Sequence, residues 1–211
     1  MAKIERIACG MVNCYLLTGE DGSVLIDTGE TGYKEKVRRE CKNKNVRLLV
    51  LTHGHIDHIQ NAASLTREWK IPIAMHEKDQ ELVQNQFAQS LKGSGIFGKA
   101  LAAASKRKMR LQEIENFVPE ILLKEGDTLE RFGVPATVIE LPGHTKGSIG
   151  LDVKRQAVIV GDALMHMVLP GIAGIYEDKR QLLESAKRIA AFSGRIVYFG
   201  HGAPVANRDW I

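Results

Sequence analysis

Apolar and polar positions along the first third of the chain alternate in short blocks. The pattern predicts strands at residues 12–17, 23–27, 46–52 and 71–75 and helices at 33–42 and 59–69. The polar, glycine-containing residues 18–22 between the first two strands are typical of a hairpin turn. The continuous apolar run at 46–52 indicates a strand that is buried on both faces.

The strand pattern disappears between residues 77 and 116, where helix-forming residues dominate. Gly93 and Gly95 interrupt this segment, and the part that follows carries several lysines and arginines from Lys99 to Arg110. We interpret the segment as a helical insertion. It is either a flap over a functional site or a helix whose charged face is simply solvated.

Strand patterns return after the insertion. They predict strands at residues 137–141, 148–153, 157–160 and 195–199 and a helix at about 179–192. Each half of the chain is thus a set of strands followed by a helix and a strand. We expect an α/β fold, one domain over residues 1–211, in which two mixed sheets pack together with helices on their outer faces.

Composition and charge narrow the function classes. The 211 residues are 44% hydrophobic and can bury a core without disulfides or a structural metal, so a metal would be functional. The net charge of +4 is too small to imply a nucleic-acid partner, and no apolar stretch is long enough to span a membrane. The odd number of cysteines, three, argues against a disulfide framework, and we expect a buried Cys14 and a cytoplasmic location.

The chemistry concentrates in the segment Thr52-His53-Gly54-His55-Ile56-Asp57-His58, at the end of a predicted strand. On extended backbone, His53 and His55 point to the same side. Asp57 and His58 follow where the chain turns into a helix and can face the same point. Imidazole and carboxylate are ligands of zinc, iron and manganese. A purely structural cluster would leave buried polar groups without partners, so we predict a metal site.

Three later strands end in the same way, with a ligand-type residue beside glycine. These residues are His144, Asp162 and His201. Rigid strands hold such residues in place while glycine allows the sharp turn. One such ending would be weak evidence for a site. Three of them, together with the histidine cluster, indicate one site.

The pattern His53-x-His55-x-Asp57-His58, followed by His144, Asp162 and His201, resembles the metallo-β-lactamase fold superfamily, and most closely its glyoxalase II-like branch. Residues 25–29 (Leu-Ile-Asp-Thr-Gly) and 142–148 (Pro-Gly-His-Thr-Lys-Gly-Ser) also resemble motifs of that superfamily. The resemblance implies an αββα sandwich with metals between the sheets. It implies His53, His55 and His144 at one metal, Asp57, His58 and His201 at the second, and Asp162 bridging them. Asp27 would support these ligands or would only satisfy backbone N–H groups of a turn.

The resemblance implies a hydrolase with two divalent metal ions, with zinc expected first and iron or manganese as alternatives. A metal-bound hydroxide, oriented by Asp57, would attack a small thioester, ester or lactone, and we favour a glyoxalase II-like thioesterase. His166 is a further candidate to touch the substrate or to donate a proton, whereas His76 is expected to be structural. We expect a small-molecule substrate and no nucleic-acid or membrane partner.

Departures from the known branches leave three alternatives. A β-lactamase with a cysteine ligand would carry it where this chain has Asp162, so only weak β-lactamase activity is expected. Quorum-sensing lactonases carry a tyrosine where this chain has Met165, which disfavours but does not eliminate a lactonase. An iron-dependent oxygenase or oxidoreductase of sulfur compounds is the third alternative.

The chain ends ten residues after His201, where glyoxalase II enzymes continue into a glutathione-binding helical domain. The basic stretch 99–110 is the one candidate to replace that domain in binding glutathione.

Overall fold

The structure is a computed structural model that describes residues 2–211. The strands are β1 (Lys3–Cys9), β2 (Val12–Thr18), β3 (Ser23–Ile26), β4 (Val46–Val50), β5 (Ile73–His76), β6 (Lys92–Gly93), β7 (Ile121–Leu123), β8 (Ala136–Glu140), β9 (Ile149–Val153), β10 (Ala157–Ile159), β11 (Leu164–His166), β12 (Pro170–Ile172), β13 (Ile175–Tyr176), β14 (Ile196–Tyr198) and β15 (Val205–Ala206). The helices are α1 (Lys34–Glu40), α2 (Ile56–Ile59), α3 (Ala62–Trp69), α4 (Gln80–Gln84), α5 (Gly95–Leu111) and α6 (Lys179–Ala190).

Two mixed sheets form the centre of the molecule. The first has six strands in the order β1-β2-β3-β4-β5-β7; its first three strands are antiparallel, and the others join in parallel. The second has five strands in the order β15-β14-β10-β9-β8 and is antiparallel except for the β10–β14 pair. Two short ribbons, β11–β12 and β6–β13, lie outside these sheets.

Side-chain alternation along β2 shows how the layers form. Tyr15 and Leu17 belong to the core between the sheets, where residues such as Leu151 of β9 meet them. The intervening Leu16 belongs to a second core on the outer face of the first sheet, beside Leu65 of α3. Because successive residues of a strand face opposite sides, one strand contributes to both cores.

Helix α6 covers the outer face of the second sheet. Its first turn is capped by Asp178, whose side chain accepts the backbone N–H groups of Arg180 and Gln181. Leu182, Ala186 and Ile189 follow at helical spacing and are fully buried in the core with residues of β10 and β14. Helices thus lie on both outer faces, which confirms the predicted αββα sandwich.

The observed elements extend the prediction in several places. Strand β1 was not predicted because charged residues such as Lys3, Glu5 and Arg6 interrupt its apolar pattern, as is usual for a strand at a sheet edge. The predicted helix at 59–69 corresponds to α3, and the separate four-residue helix α2 ends at Ile59 before it. The segment 77–116 contains α4, β6 and α5. Among residues 2–211, no helix combines the length and apolar content needed to cross a bilayer.

Candidate metal centre

Strand ends from both sheets deliver the candidate ligands to one place. The chain leaves β4 at Val50, and His55, still extended, immediately precedes the four-residue helix α2. From the second sheet, β8 ends shortly before His144, β10 before Asp162 and β14 before His201. The site therefore lies where the two sheets meet, and no single stretch of sequence contains it.

The ligand-type atoms gather in three overlapping groups. The groups are His53, His55 and His144; His53, His58 and Asp162; and Asp57, His58 and His201, and within each group these atoms lie within 4.8 Å of one another. In the first group, Nδ1 of His55 lies 2.9 Å from Nε2 of His144. All seven residues that the sequence singles out as metal ligands are thus brought together.

Asp162 lies between the other candidate ligands. Its Oδ2 atom is 3.1 Å from Nε2 of His201 and 3.6 Å from Nε2 of His144. Its Oδ1 atom is 3.6 Å from Nε2 of His58. Gly200 makes this position possible, because a Cβ atom there would collide with the carboxylate of Asp162.

Several buried polar atoms at this point have no hydrogen-bond partner in the described residues. They are Nε2 of His53, Nε2 of His58 and Oδ1 of Asp162. An unsatisfied buried polar group costs about 1–3 kcal/mol. Three of them converge here, and their nitrogen and oxygen donors are those that a divalent transition metal accepts. The residues present therefore fit a metal.

The histidine rings are oriented by contacts behind the site. Nδ1 of His144 lies 3.0 Å from the carbonyl oxygen of Ile175, and Nδ1 of His201 lies 2.8 Å from that of Met11. A carbonyl oxygen only accepts, so each Nδ1 carries the hydrogen and donates. The lone pair of Nε2 then faces the centre, as is usual for metal-binding histidines.

Of the two roles that the sequence left open for Asp27, the contacts favour support of the candidate ligands. Its Oδ1 accepts the backbone N–H of Thr52 at 2.8 Å, and its Oδ2 accepts the Thr52 hydroxyl at 2.8 Å. The same Oδ2 lies 2.8 Å from Nδ1 of His58. Asp27 has a φ of 58°, a left-handed conformation that aspartate tolerates better than most residues. The carboxylate thus joins the end of β3 to Thr52, which follows β4, and also orients a candidate ligand.

Asp79 is a second supporting carboxylate, and the sequence reasoning missed it. It is fully buried and accepts hydrogen bonds from Gly54 N, Gly147 N, the Thr145 hydroxyl and the Gln89 amide, at 2.6–3.0 Å. It therefore ties the histidine-rich loop to the loop that carries His144. A single aspartate in a polar stretch has no pattern that would reveal this role.

Burial and neighbouring charges set the protonation of the site. Burial, reinforced by the nearby His144, lowers the pKa of His55 to about 3, so its ring is neutral at physiological pH. Burial by itself raises the pKa of Asp162, but His201 and His58 outweigh it and hold that pKa well below its usual range. A neutral imidazole and an ionised carboxylate are the forms that bind metal.

The family of the chain follows from comparison with known proteins. The model of the metallo-beta-lactamase superfamily matches residues 7–201. The chain belongs to this superfamily.

Relatives within the superfamily include hydrolases. Hydroxyacylglutathione hydrolase GloC of Haemophilus influenzae is 30% identical over 197 residues, which cover 90% of this chain and 85% of the relative. The probable metallo-hydrolase YqgX of Bacillus subtilis is 27% identical over 206 residues, or 95% of this chain and 90% of the relative. The chain is therefore a metallo-hydrolase in the broad sense that these relatives share.

A solved structure of the superfamily has the same fold. TTHA1623, crystallised in a di-iron-bound form, superimposes with a TM-score of 0.71 at 24% identity, over 99% of this chain and 100% of its own. At this identity the likeness shows the fold alone.

Two further histidines of this superfamily member lie outside the three groups. Nδ1 of His166 lies 2.7 Å from the carbonyl oxygen of Ala203, and its ring packs against Phe199. His76 is buried, with Nε2 3.3 Å from Glu140. The backbone N–H of His166 donates to the carbonyl oxygen of His201 at 2.9 Å, so the two residues are neighbours. The His166 side chain is nevertheless outside the three groups and the cavity lining, and its catalytic role stays a prediction.

A cavity of about 240 Å³ opens onto the candidate ligands. Its lining includes five of the candidate ligands: His55, Asp57, His144, Asp162 and His201. Helix α5 contributes Leu101, Ala104, Ser105, Lys108 and Met109 to the same lining. One side of α5 therefore lines the cavity of this metallo-beta-lactamase superfamily protein, while its charged residues Lys99, Lys106 and Arg107 are exposed.

Proposed function

We propose that this protein hydrolyses a small thioester, using two divalent metal ions held by the seven candidate ligands. The observation that carries the proposal is the convergence of unpartnered histidine nitrogens on Asp162 at the wall of a cavity. The overall reaction adds water across the C–S bond. The acyl group takes up the oxygen as a carboxylic acid, and the thiol leaves with a hydrogen.

The residues divide between two ions in the manner that the clusters suggest. His53, His55 and His144 would hold one ion, and Asp57, His58 and His201 the other, with Asp162 shared between them. Bound divalent ions would lower the pKa of a coordinated water towards neutrality and polarise the substrate carbonyl. We favour zinc, since mixed histidine and carboxylate ligands suit it, with iron and manganese as the alternatives.

Asp57 is the group that we assign to orienting the attacking water. It lines the cavity, and its side chain is partly exposed, whereas Asp162 is almost fully buried. Its Oδ2 lies 3.9 Å from Nε2 of His201. From this position its carboxylate can accept a hydrogen bond from the water and so orient it towards the substrate carbonyl. We assign no step to His166.

A thioester is favoured by one comparison. The GloC relative, matched over most of both chains, is named for hydrolysis of hydroxyacylglutathione, which is a thioester. Esters and lactones react by the same addition to a carbonyl, so a thioester is a preference within one reaction class. Fold alone does not determine this preference.

Purified protein should be loaded separately with zinc, iron and manganese, and its metal content measured. Each form is then assayed on matched thioesters, lactones and cephalosporins, with oxygen uptake recorded in parallel. We expect one or more thioesters to give the highest kcat/KM in the zinc form. Highest activity on lactones or cephalosporins would contradict the thioester assignment. Oxygen consumption by the iron form without hydrolysis would contradict hydrolysis itself.

A further inference from the structure

We propose that the cavity selects substrates whose group beside the scissile carbonyl is apolar and uncharged, and that the Glu30–Lys108 pair enforces this choice. The inference rests on the proposed hydrolase function and narrows its substrate class. The selected group is either the acyl chain or the organic part of the leaving thiol. Both present the same chemistry to the cavity, and the experiment distinguishes them.

Much of the cavity lining beside the candidate ligands is apolar. It includes Met11, Leu91, Leu101, Met109, Met165 and Ile175. Leu91, Met109, Met165 and Ile175 are each at least nine-tenths buried, so these side chains are held by surrounding packing. Methionine side chains fill irregular space and adapt to alkyl and aromatic groups. Burial of an apolar group here contributes binding energy, whereas an unpaired charge would lose its hydration.

The size of the cavity limits the group that it can accept. Its volume of about 240 Å³ exceeds the apolar cavity of about 150 Å³ that holds benzene. It is smaller than the ~300–1,000 Å³ of pockets that enclose drug-sized ligands. A short alkyl chain or a single ring therefore fits inside, whereas an entire glutathione would extend beyond the cavity.

Apart from the candidate metal ligands, the two charged side chains of the cavity lining neutralise each other. Among residues 2–211, Lys108 is the one lysine or arginine that lines the cavity, and its Nζ lies 2.7 Å from Oε1 of Glu30. Both side chains are about two-thirds buried and both line the cavity. Lys99, Lys106 and Arg107 of the same helix are exposed and lie outside the cavity lining. A carboxylate on the substrate would therefore meet Glu30 as well as Lys108.

Two adjacent alanines of α5 provide a matched test of cavity size. Both alanines are exposed, but Ala104 lines the cavity and Ala103 does not. The same substitution at each position therefore changes cavity volume at one and only the outer helix surface at the other.

The first experiment compares thioesters of one neutral thiol, N-acetylcysteamine, with acetyl, butyryl, hexanoyl and succinyl groups. Butyryl is also presented on glutathione. Butyryl and succinyl have four carbons each and differ by the carboxylate. We expect one of two results. Either kcat/KM for butyryl exceeds that for succinyl by at least about tenfold, or kcat/KM for the butyryl thioester of N-acetylcysteamine exceeds that of the glutathione thioester by at least about tenfold. The first result places the acyl chain in the cavity, and the second places the thiol there.

The second experiment compares Ala104→Leu with Ala103→Leu. If the acyl chain occupies the cavity, we expect Ala104→Leu to lower the ratio of hexanoyl to acetyl kcat/KM by about tenfold. If the thiol occupies it, we expect the same fall in the ratio of kcat/KM for large and small thiols. Ala103→Leu should leave both ratios unchanged. Because each ratio is measured within one variant, differences in folded fraction or metal content cancel.

The third experiment tests the charge pair. Glu30→Gln frees Lys108, so we expect it to raise the succinyl-to-butyryl ratio by about tenfold. Lys108→Gln leaves Glu30 unpaired and should lower that ratio. If the first experiment places the thiol in the cavity, the two variants are compared on the ratio of glutathione to N-acetylcysteamine thioester instead. Opposite shifts support the proposal. The proposal is overturned if the parent protein prefers neither butyryl over succinyl nor the neutral thiol over glutathione, or if both variants leave the ratio unmoved. Absence of thioester hydrolysis altogether would instead refute the proposed function.

Discussion

Oδ2 of Asp27 lies 2.8 Å from Nδ1 of His58, a residue that follows it by 31 positions along the chain. Both side chains are almost completely buried. The contact joins the end of β3 to helix α2 and directs Nε2 of His58 towards Asp162, from which it is separated by 3.6 Å. A residue without direct access to the centre thereby controls the direction of one candidate ligand.

This contact predicts that Asp27→Ala weakens metal binding. Loss of a carboxylate that orients a metal-bound histidine typically reduces metal affinity or activity by about 10–100-fold. The affinity is measured by competition with a chelating dye. Asp127→Ala is the matched control, because Asp127 accepts a backbone N–H within a partly exposed turn. Equal affinity in the Asp27 variant and the control would contradict the assigned role.

The four donors that Asp79 accepts predict a large effect on stability. Asp79→Ala would leave the N–H groups of Gly54 and Gly147 and the Thr145 hydroxyl without their acceptor. We expect the free energy of unfolding to fall by about 3 kcal/mol or more, because buried unsatisfied donors are costly. Urea denaturation measures the change. A loss no greater than that of the Asp127→Ala control would show that the two loops do not depend on this carboxylate.

The three cysteines are buried, as expected for Cys14. The burial of Cys41 predicts that the protein loses stability at alkaline pH. Burial raises the pKa of Cys41 from 9.0 to about 12. Between these pH values the unfolded thiol loses its proton while the folded thiol retains it, so unfolding becomes easier as pH rises. Titration of one such group lowers the free energy of unfolding by about 1.4 kcal/mol per pH unit in this range.

Cys41→Ala provides the measurement. We expect its unfolding free energy to fall less steeply than that of the parent protein between pH 9 and 11. The cavity that the substitution creates lowers stability equally at every pH and so does not change the slope. Urea denaturation at several pH values gives the two slopes. Parallel slopes would mean that the thiol titrates normally in the folded protein.

Metal removal should destabilise the protein as well as stop turnover. A ligand present at 100 times its Kd stabilises the folded state by about 2.7 kcal/mol. For a chain of this length that corresponds to a fall in Tm of about 5–10 °C on chelation. We expect Asp162→Ala to abolish both turnover and the metal-dependent shift.

His166→Gln is the control for this prediction. Its Nδ1 atom lies 2.7 Å from the carbonyl oxygen of Ala203, and the side chain is outside the cavity lining. We expect this variant to retain the shift and most of the turnover. Wild-type turnover in metal-loaded Asp162→Ala, or loss of turnover in His166→Gln with metal bound, would reverse the roles given to these residues.

Local sequence was sufficient for much of the candidate site. His53, His55, Asp57 and His58 lie within six residues, so their convergence depends on one strand end and one helical turn. The supporting groups were not recognisable in this way. The acceptors behind His201 and His144 are the backbone carbonyls of Met11 and Ile175, which any residue type would supply.

By itself, the sequence determined the strand and helix periodicities, the superfamily and the identity of the candidate ligands, because these depend on residue type and short-range spacing. Only the tertiary structure decided that Asp79 ties two loops together, that α5 faces the cavity and that Glu30 neutralises Lys108. Glu30 and Lys108 are 78 positions apart, and the distance between them is set by how the insertion packs on the sheets. Side-chain packing between distant segments has no periodic pattern in the sequence, so only the folded molecule reveals it.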